Sequence, residues 1–271
     1  MQSHRLSDYE GEVAANVERA IEVGTRLQKT SDDALLSANV GAAYGYRAMT
    51  RLRRHNWIGA YLDGRRSIGH VRDALEADPQ LYDLYFPLGG YHYWRTARSS
   101  FFRAVAFWMP DRRDLVLQQM ELAVHHGRYI RNGALHGIAL SLYDAGDIDR
   151  ALAFNGQVMA LIDPPTNGSL YLRGRLMARV ENWPAVEATF QQLLAKLPAH
   201  AVGYQVECKY WIARAHQAEG RLAQARVLVG EALAQSLQRN PEQEIESALE
   251  SFDAIREQLV ELGNELESDN Q

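Results

Sequence analysis

Phe86, His136, Tyr171 and Tyr210 hold one place in a recurring run of landmarks, a ring at the fifth position of a first helix. Around them, Leu, Gly, Ala, Ala and Pro signals recur at fixed offsets. Leu88-Gly89 opens the series, preceded by Tyr85. Leu135, Ile138, Gly146 and Ala151 come next, with Pro164 one place late; then Leu170, Gly174, Phe190 and Pro198; then Ile212, Ala213, Gly220, Ala225 and Ala232. The equivalent second-helix positions Ala151, Val186 and Ala225 stand 35 and 39 residues apart. A helix–turn–helix unit of that size cannot bury its apolar face alone, so such a repeat forces units to stack and cover one another.

Turn chemistry agrees with this division. Asp144-Ala145-Gly146-Asp147, Glu181-Asn182-Trp183-Pro184 and Glu219-Gly220-Arg221 fall where paired helices join. Pro184 sits in a first helical turn, where its missing N–H is harmless. Upstream, Val40-Gly41-Ala42-Ala43-Tyr44 repeats the central landmark, and its partner helix ends at Ala74-Leu75 before Pro79, later than the period requires. That unit is expected to have longer helices. An amphipathic helix is expected from Ser7-Asp8 to about Lys29, with Val13, Val17, Ile21 and Leu27 inward. Thr30-Ser31-Asp32 begins the next helix, running to about Arg54, and a third spans roughly Trp57 to Ala77, stopping at Asp78-Pro79. From Pro241 a last helix is expected to place Ile245, Leu249, Phe252, Ile255, Leu259 and Leu262 on one face.

Strands have little support, since alternating Val/Ile/Thr runs are absent and Leu, Ala, Arg and Glu dominate. The expected fold class is all-α, a right-handed α-solenoid of antiparallel helical hairpins with about 11–12 helices. Its expected parts are an N-terminal helix (1–30), the hairpins (31–239) and an acidic C-terminal capping helix (240–271).

From Asn240 onward the chain has ten acids against the single base Arg256; the whole carries −5, so the rest is mildly basic. That is far from the basic stripe of a nucleic-acid binder, and no nucleic-acid partner is expected. The lone Cys208 excludes an internal disulfide framework and a multi-cysteine metal site. The N-terminus, Met1 to Asp8, is polar and lacks an apolar signal core. No stretch approaches the ~20 apolar residues of a membrane span. The chain is expected to be soluble, cytoplasmic as it stands and periplasmic if a leader precedes Met1.

The segment Ala74-Leu75-Glu76-Ala77-Asp78-Pro79-Gln80-Leu81-Tyr82-Asp83-Leu84-Tyr85 resembles a repeat junction of tetratricopeptide-repeat (TPR) proteins. The stretch through Leu88-Gly89-Gly90-Tyr91-His92-Tyr93-Trp94-Arg95 and Pro110-Asp111-Arg112-Arg113 to Gly127-Arg128-Tyr129 is similar to bacterial TPR proteins without assigned activity. The resemblance covers roughly 34–237. It implies a superhelical binding scaffold and no catalytic residues.

In such a stack, positions 2, 5, 9, 12 and 13 of each first helix are expected to line the concave wall. They give Asp83, Phe86, Tyr93 and Trp94, then His136, Tyr143 and Asp144, then Tyr171, Arg175 and Arg179, then Tyr210, Arg214 and Gln217. The expected binding residues are Phe86, Tyr93, Trp94, His136, Tyr143, Tyr171, Arg175, Arg179, Tyr210 and Arg214. Arg forks suit carboxylates and Tyr supplies apolar area with a polar tip, so the lining suits a partner protein or extended peptide. Those arginines can equally pair with acids of neighbouring units. The alternative is an exported small-ligand or lipid carrier, with a cavity for an apolar or anionic molecule built from the aromatic-rich segment Tyr82–Trp108. Glu121 and His125 share a helix face but have no third ligand in register, so no metal or other cofactor is expected. A nucleophile elbow, a phosphate loop and a zincin helix are absent, and no enzymatic activity is expected.

Overall fold

A computed structural model describes residues 6–53, 56–90, 113–240, 244, 247 and 249–268, and among them there are helices and turns but no strand. The helices are α1 Leu6–Leu27, α2 Ala34–Arg53, α3 Trp57–Ala77, α4 Arg113–His126, α5 Arg131–Ala145, α6 Ile148–Leu161, α7 Asn167–Arg179, α8 Trp183–Lys196, α9 Val202–Ala218, α10 Leu222–Ser236 and α11 Phe252–Ser268. A 3-10 turn at Tyr82–Leu84 leads into helical residues 85–90. The chain divides into two compact units, Asp8–Ser141 in one and Leu142–Gln271 in the other.

In the first unit, α2 and α3 are long, at 20 and 21 residues, as the late Pro79 predicts. Asn56 caps α3 by accepting the Gly59 N–H at 2.9 Å. Val40, Ala43, Ala60, Ile68, Val71 and Ala74 are buried in this unit. So is the Asp63 carboxylate, which accepts two bonds from Arg47 at 2.8 and 2.9 Å and pairs with Arg51 at 3.0 Å. A buried charge persists only when paired in this way. Leu27 is exposed rather than inward. It is the last residue of α1, and in the turn that follows the Gln28 amide donates to Ser37 Oγ at 3.0 Å.

In the second unit the helices from α6 to α11 pack each on the next, and α9 also meets α11. The turns repeat one geometry: Gly146 (φ 82°), Glu181 (φ 54°) and Gly220 (φ 75°) all occupy the left-handed region. Two of the three use glycine, which enters that region freely. Ala151, Val186 and Ala225 are fully buried at the repeat's small position. A Cβ on Gly174 would stand 2.5, 2.7 and 2.9 Å from three atoms of the Phe190 ring, so glycine here sets how closely α7 and α8 approach.

The last helix begins at Phe252, not after Pro241. Ser251 Oγ accepts the Ala254 N–H at 3.2 Å and starts the helix, while Glu244, Ser247, Leu249 and Glu250 precede it without helical structure. Ile245 lies outside the described residues. α11 lays Ile255, Leu259, Leu262 and Leu266 against Val206, Tyr210 and Ala213 of α9 and Ala225, Val229 and Ala232 of α10. Arg226 donates to the Leu266 carbonyl from Nε at 3.1 Å and from its terminal nitrogen at 2.6 Å, satisfying an end carbonyl of α11.

Candidate functional site

Helical spacing of four puts Tyr171, Arg175 and Arg179 along one face of α7, and Glu207, Tyr210, Trp211 and Arg214 along a facing side of α9. Arg175, only 8% exposed, donates to Glu207 Oε1 at 2.9 Å and pairs with Glu250 Oε2 at 3.1 Å through its other terminal nitrogen. Its guanidinium lies 4.7 Å from the Trp211 ring, a cation–π contact. Trp211 in turn stacks on Phe190 at 6.0 Å and 11°. Tyr171 donates to Glu207 Oε1 at 2.7 Å, and its oxygen lies 2.6 Å from Ser247 Oγ. Because the Tyr171 proton is directed to Glu207, Ser247 is the donor in the second bond.

Burial governs the electrostatics. It pushes the Glu207 carboxyl up, with Arg175 and Tyr171 only partly offsetting it. Burial and the neighbouring Glu207 charge also push up the Tyr171 hydroxyl. Cys208 is a free, buried thiol pushed well up by burial and by Glu207, which makes it a poor nucleophile.

Six of the expected site residues fall in this second unit. The Arg179 guanidinium lies 5.3 Å from the ring of the buried Tyr143. Tyr210 is buried edge-on to Trp211 at 5.0 Å. Arg214 donates to Gln217 Oε1 at 2.9 Å and lies 3.4 Å from Glu265. Arg175 and Arg214 thus meet acids of the same chain, two of them from the acidic C-terminal stretch. Phe86 and His136 belong to the first unit. Phe86 packs over Gly137, and burial pushes His136 down to about 4, leaving it neutral near pH 7. Tyr93 and Trp94 lie outside the described residues, as does the segment from Tyr91 to Trp108. Tyr82 is packed against His126 at 4.8 Å.

Asp83, a further inward-offset residue, is tied to the entry of α5. It accepts the backbone N–H groups of Arg128, Tyr129 and Ile130 at 3.1, 2.9 and 2.9 Å. Partial burial opposes its charge, yet these bonds hold the carboxyl below its ordinary value. Among the described residues no group of three His, Cys, Asp or Glu side chains could hold a metal ion.

Glu207, Trp211, Ser247 and Glu250 complete the site without having been singled out from sequence. Glu207 was within reach, because the offsets that select Tyr210 and Arg214 put it at position 2. Applied to the hairpin around Gly41, the same offsets give Leu35, Ala38, Ala42, Gly45 and Tyr46, with alanine and not a ring at the fifth position. Leu35 is 57% exposed and Tyr46 60%, and Met49 continues their stripe along α2 at 46%.

No protein-family model matches the chain, and no curated protein matches it. Among solved structures it is similar to the crystal structure of BtubC (BKLC) from P. vanneervenii, with a TM-score of 0.57 at 13% identity, over 84% of this chain and 91% of that one. The crystal structure of yeast Tom70 aligns over 95% of this chain and 60% of that one, at 14% identity and a TM-score of 0.40. Among the described residues the fold is all-α, with successive helices packed in adjacent pairs. No helix among the described residues is long and apolar enough to cross a membrane.

Proposed function

We propose that this scaffold is non-catalytic and binds a partner protein, or an extended segment of one, on the inward faces of its first helices. The observation that carries this reading is the exposed stripe Leu35, Ala42, Tyr46 and Met49 on α2. A lone exposed apolar residue needs no explanation, but Leu35, Ala42, Tyr46 and Met49 recur at i, i+7, i+11 and i+14 on one helix face, interrupted at i+4 by the exposed Asn39, and such a stripe is of the kind that partners cover.

A peptide-display selection against the full chain tests this. Enriched peptides are expected to carry apolar anchors and to lose at least about tenfold in affinity for the L35S/Y46S variant, whose helical circular dichroism stays unchanged. Unchanged affinity for that variant refutes binding on this face.

A further inference from the structure

We propose that the stretch preceding α11 is an internal ligand: Ser247 and Glu250 occupy the position of a partner segment carrying a hydroxyl and, three residues later, a carboxylate. The inference rests on the reading of the chain as a partner-binding scaffold and names the chemistry that one part of it recognises.

Three features carry it. The first is length. The other connections of this unit are 146–147, 162–166, 180–182, 197–201 and 219–221, whereas residues 237–251 separate α10 from α11, and the described ones among them are not helical. Helix–helix connections usually take about 2–8 residues, and longer ones commonly have a task of their own. α11 packs directly on α10, so the excess is not needed to bridge a gap.

The second is the division of Arg175. One terminal nitrogen is held by the scaffold's Glu207, and Trp211 lies against the guanidinium. The other terminal nitrogen meets Glu250, which the connection supplies. Without Glu250, the scaffold would present an oriented guanidinium with one edge open to a carboxylate. The third is Tyr171. Its proton is directed to Glu207, so its oxygen accepts; Arg175 donates to it at a long 3.3 Å, and the connection supplies the Ser247 hydroxyl as the closer donor at 2.6 Å. Glu244 adds an anchor by accepting the Gly203 and Tyr204 N–H groups at 2.8 and 3.2 Å. A partner segment of the same chemistry, extended and acidic with a serine or threonine, binds by displacing this stretch.

The test uses the full-length chain and a fluorescent peptide spanning residues 240–252, followed by anisotropy. The S247A/E250Q chain is expected to bind the peptide at least about tenfold more tightly than the wild type, because its own segment competes less well. A peptide carrying the same two substitutions is expected to lose that gain. Equal affinity for both chains, or equal binding of both peptides, overturns the proposal. Should the variant melt early, hydrogen exchange on the wild type decides. Saturating peptide is expected to raise exchange at 247–251, and an unchanged pattern overturns the proposal. The display selection reads the α2 face and this experiment reads the 240–252 peptide at Tyr171 and Arg175, so failure of the α2 reading and failure of this one are seen separately.

Discussion

Replacing Gly174 by Ala tests whether the scaffold holds the candidate site through packing. The added Cβ would stand 2.5–2.9 Å from three Phe190 ring atoms, whereas carbon atoms settle at about 3.5–4.0 Å. The ring must therefore retreat by about 1 Å. Phe190 has no exposed surface and is stacked on Trp211, so the retreat is resisted. Overpacking costs about 1–3 kcal/mol, and the resistance here favours the upper end. The better helix propensity of Ala returns about 1 kcal/mol, leaving a net loss of about 2 kcal/mol. For a chain of this size the melting temperature should fall by roughly 4–8 °C. The displacement also runs from Phe190 through Trp211 to Arg175, so the near-ultraviolet circular dichroism of the stacked indole should change. Gly156 and Gly230 are the controls, because nothing lies within 4 Å of a Cβ built on either. Alanine at those helical positions should stabilise by about 0.5–1 kcal/mol. A G174A protein as stable as G156A would refute the close-packing argument.

Arg175→Met should cost about 3–5 kcal/mol by leaving Glu207 buried without its cation, measured by urea unfolding. Burial raises the folded-state value of Glu207 above 4.5, so the R175M deficit should shrink at low pH, where that carboxyl is protonated; a deficit independent of pH would count against this. Glu187 behaves oppositely. Its bond from Arg221, aided by His216, holds it down at about 2 against partial burial, so its stabilisation is present above pH 4.5 and lost as pH falls from there towards 2. E187Q should flatten that limb of a plot of stability against pH, and an unaltered limb would show that another group controls it. Asp83→Ala removes the acceptor of three backbone N–H groups at the entry of α5; with Asp83 only partly buried, the expected loss is about 1 kcal/mol. The urea midpoint should fall with the slope unchanged.

The hairpins were readable because their signals are local. Gly146 and Gly220 announce left-handed turns by residue type, and Ala151 and Ala225 announce close approach by size. Glu181 adopts the same turn conformation without the glycine that would have marked it, so only its place in the repeat reveals it. The Tyr and Arg positions of α7 and α9 followed from helical periodicity. Their partners did not, because Tyr171 and Ser247 are 76 residues apart and nothing local to Ser247 specifies that bond. The apolar spacing of Leu249, Phe252 and Ile255 suggested a helix beginning near Pro241. The chain instead delays it to Phe252, and Ser247 and Glu250 bond to α7. Asp63 was equally hidden: a carboxylate amid arginines on an outwardly ordinary helix becomes a buried hub only when α2 lies beside α3.

The connection 237–251 also acts as a tether. A segment held this near its site faces it at an effective concentration in the millimolar range. If its intrinsic affinity is micromolar, the site stands open in roughly one molecule in a thousand, and an incoming segment sees its affinity weakened by about that factor. Binding measured on the intact chain would then report a difference between two occupants. Natural partners would be those that engage a second surface as well, since a single acidic contact would rarely win the exchange.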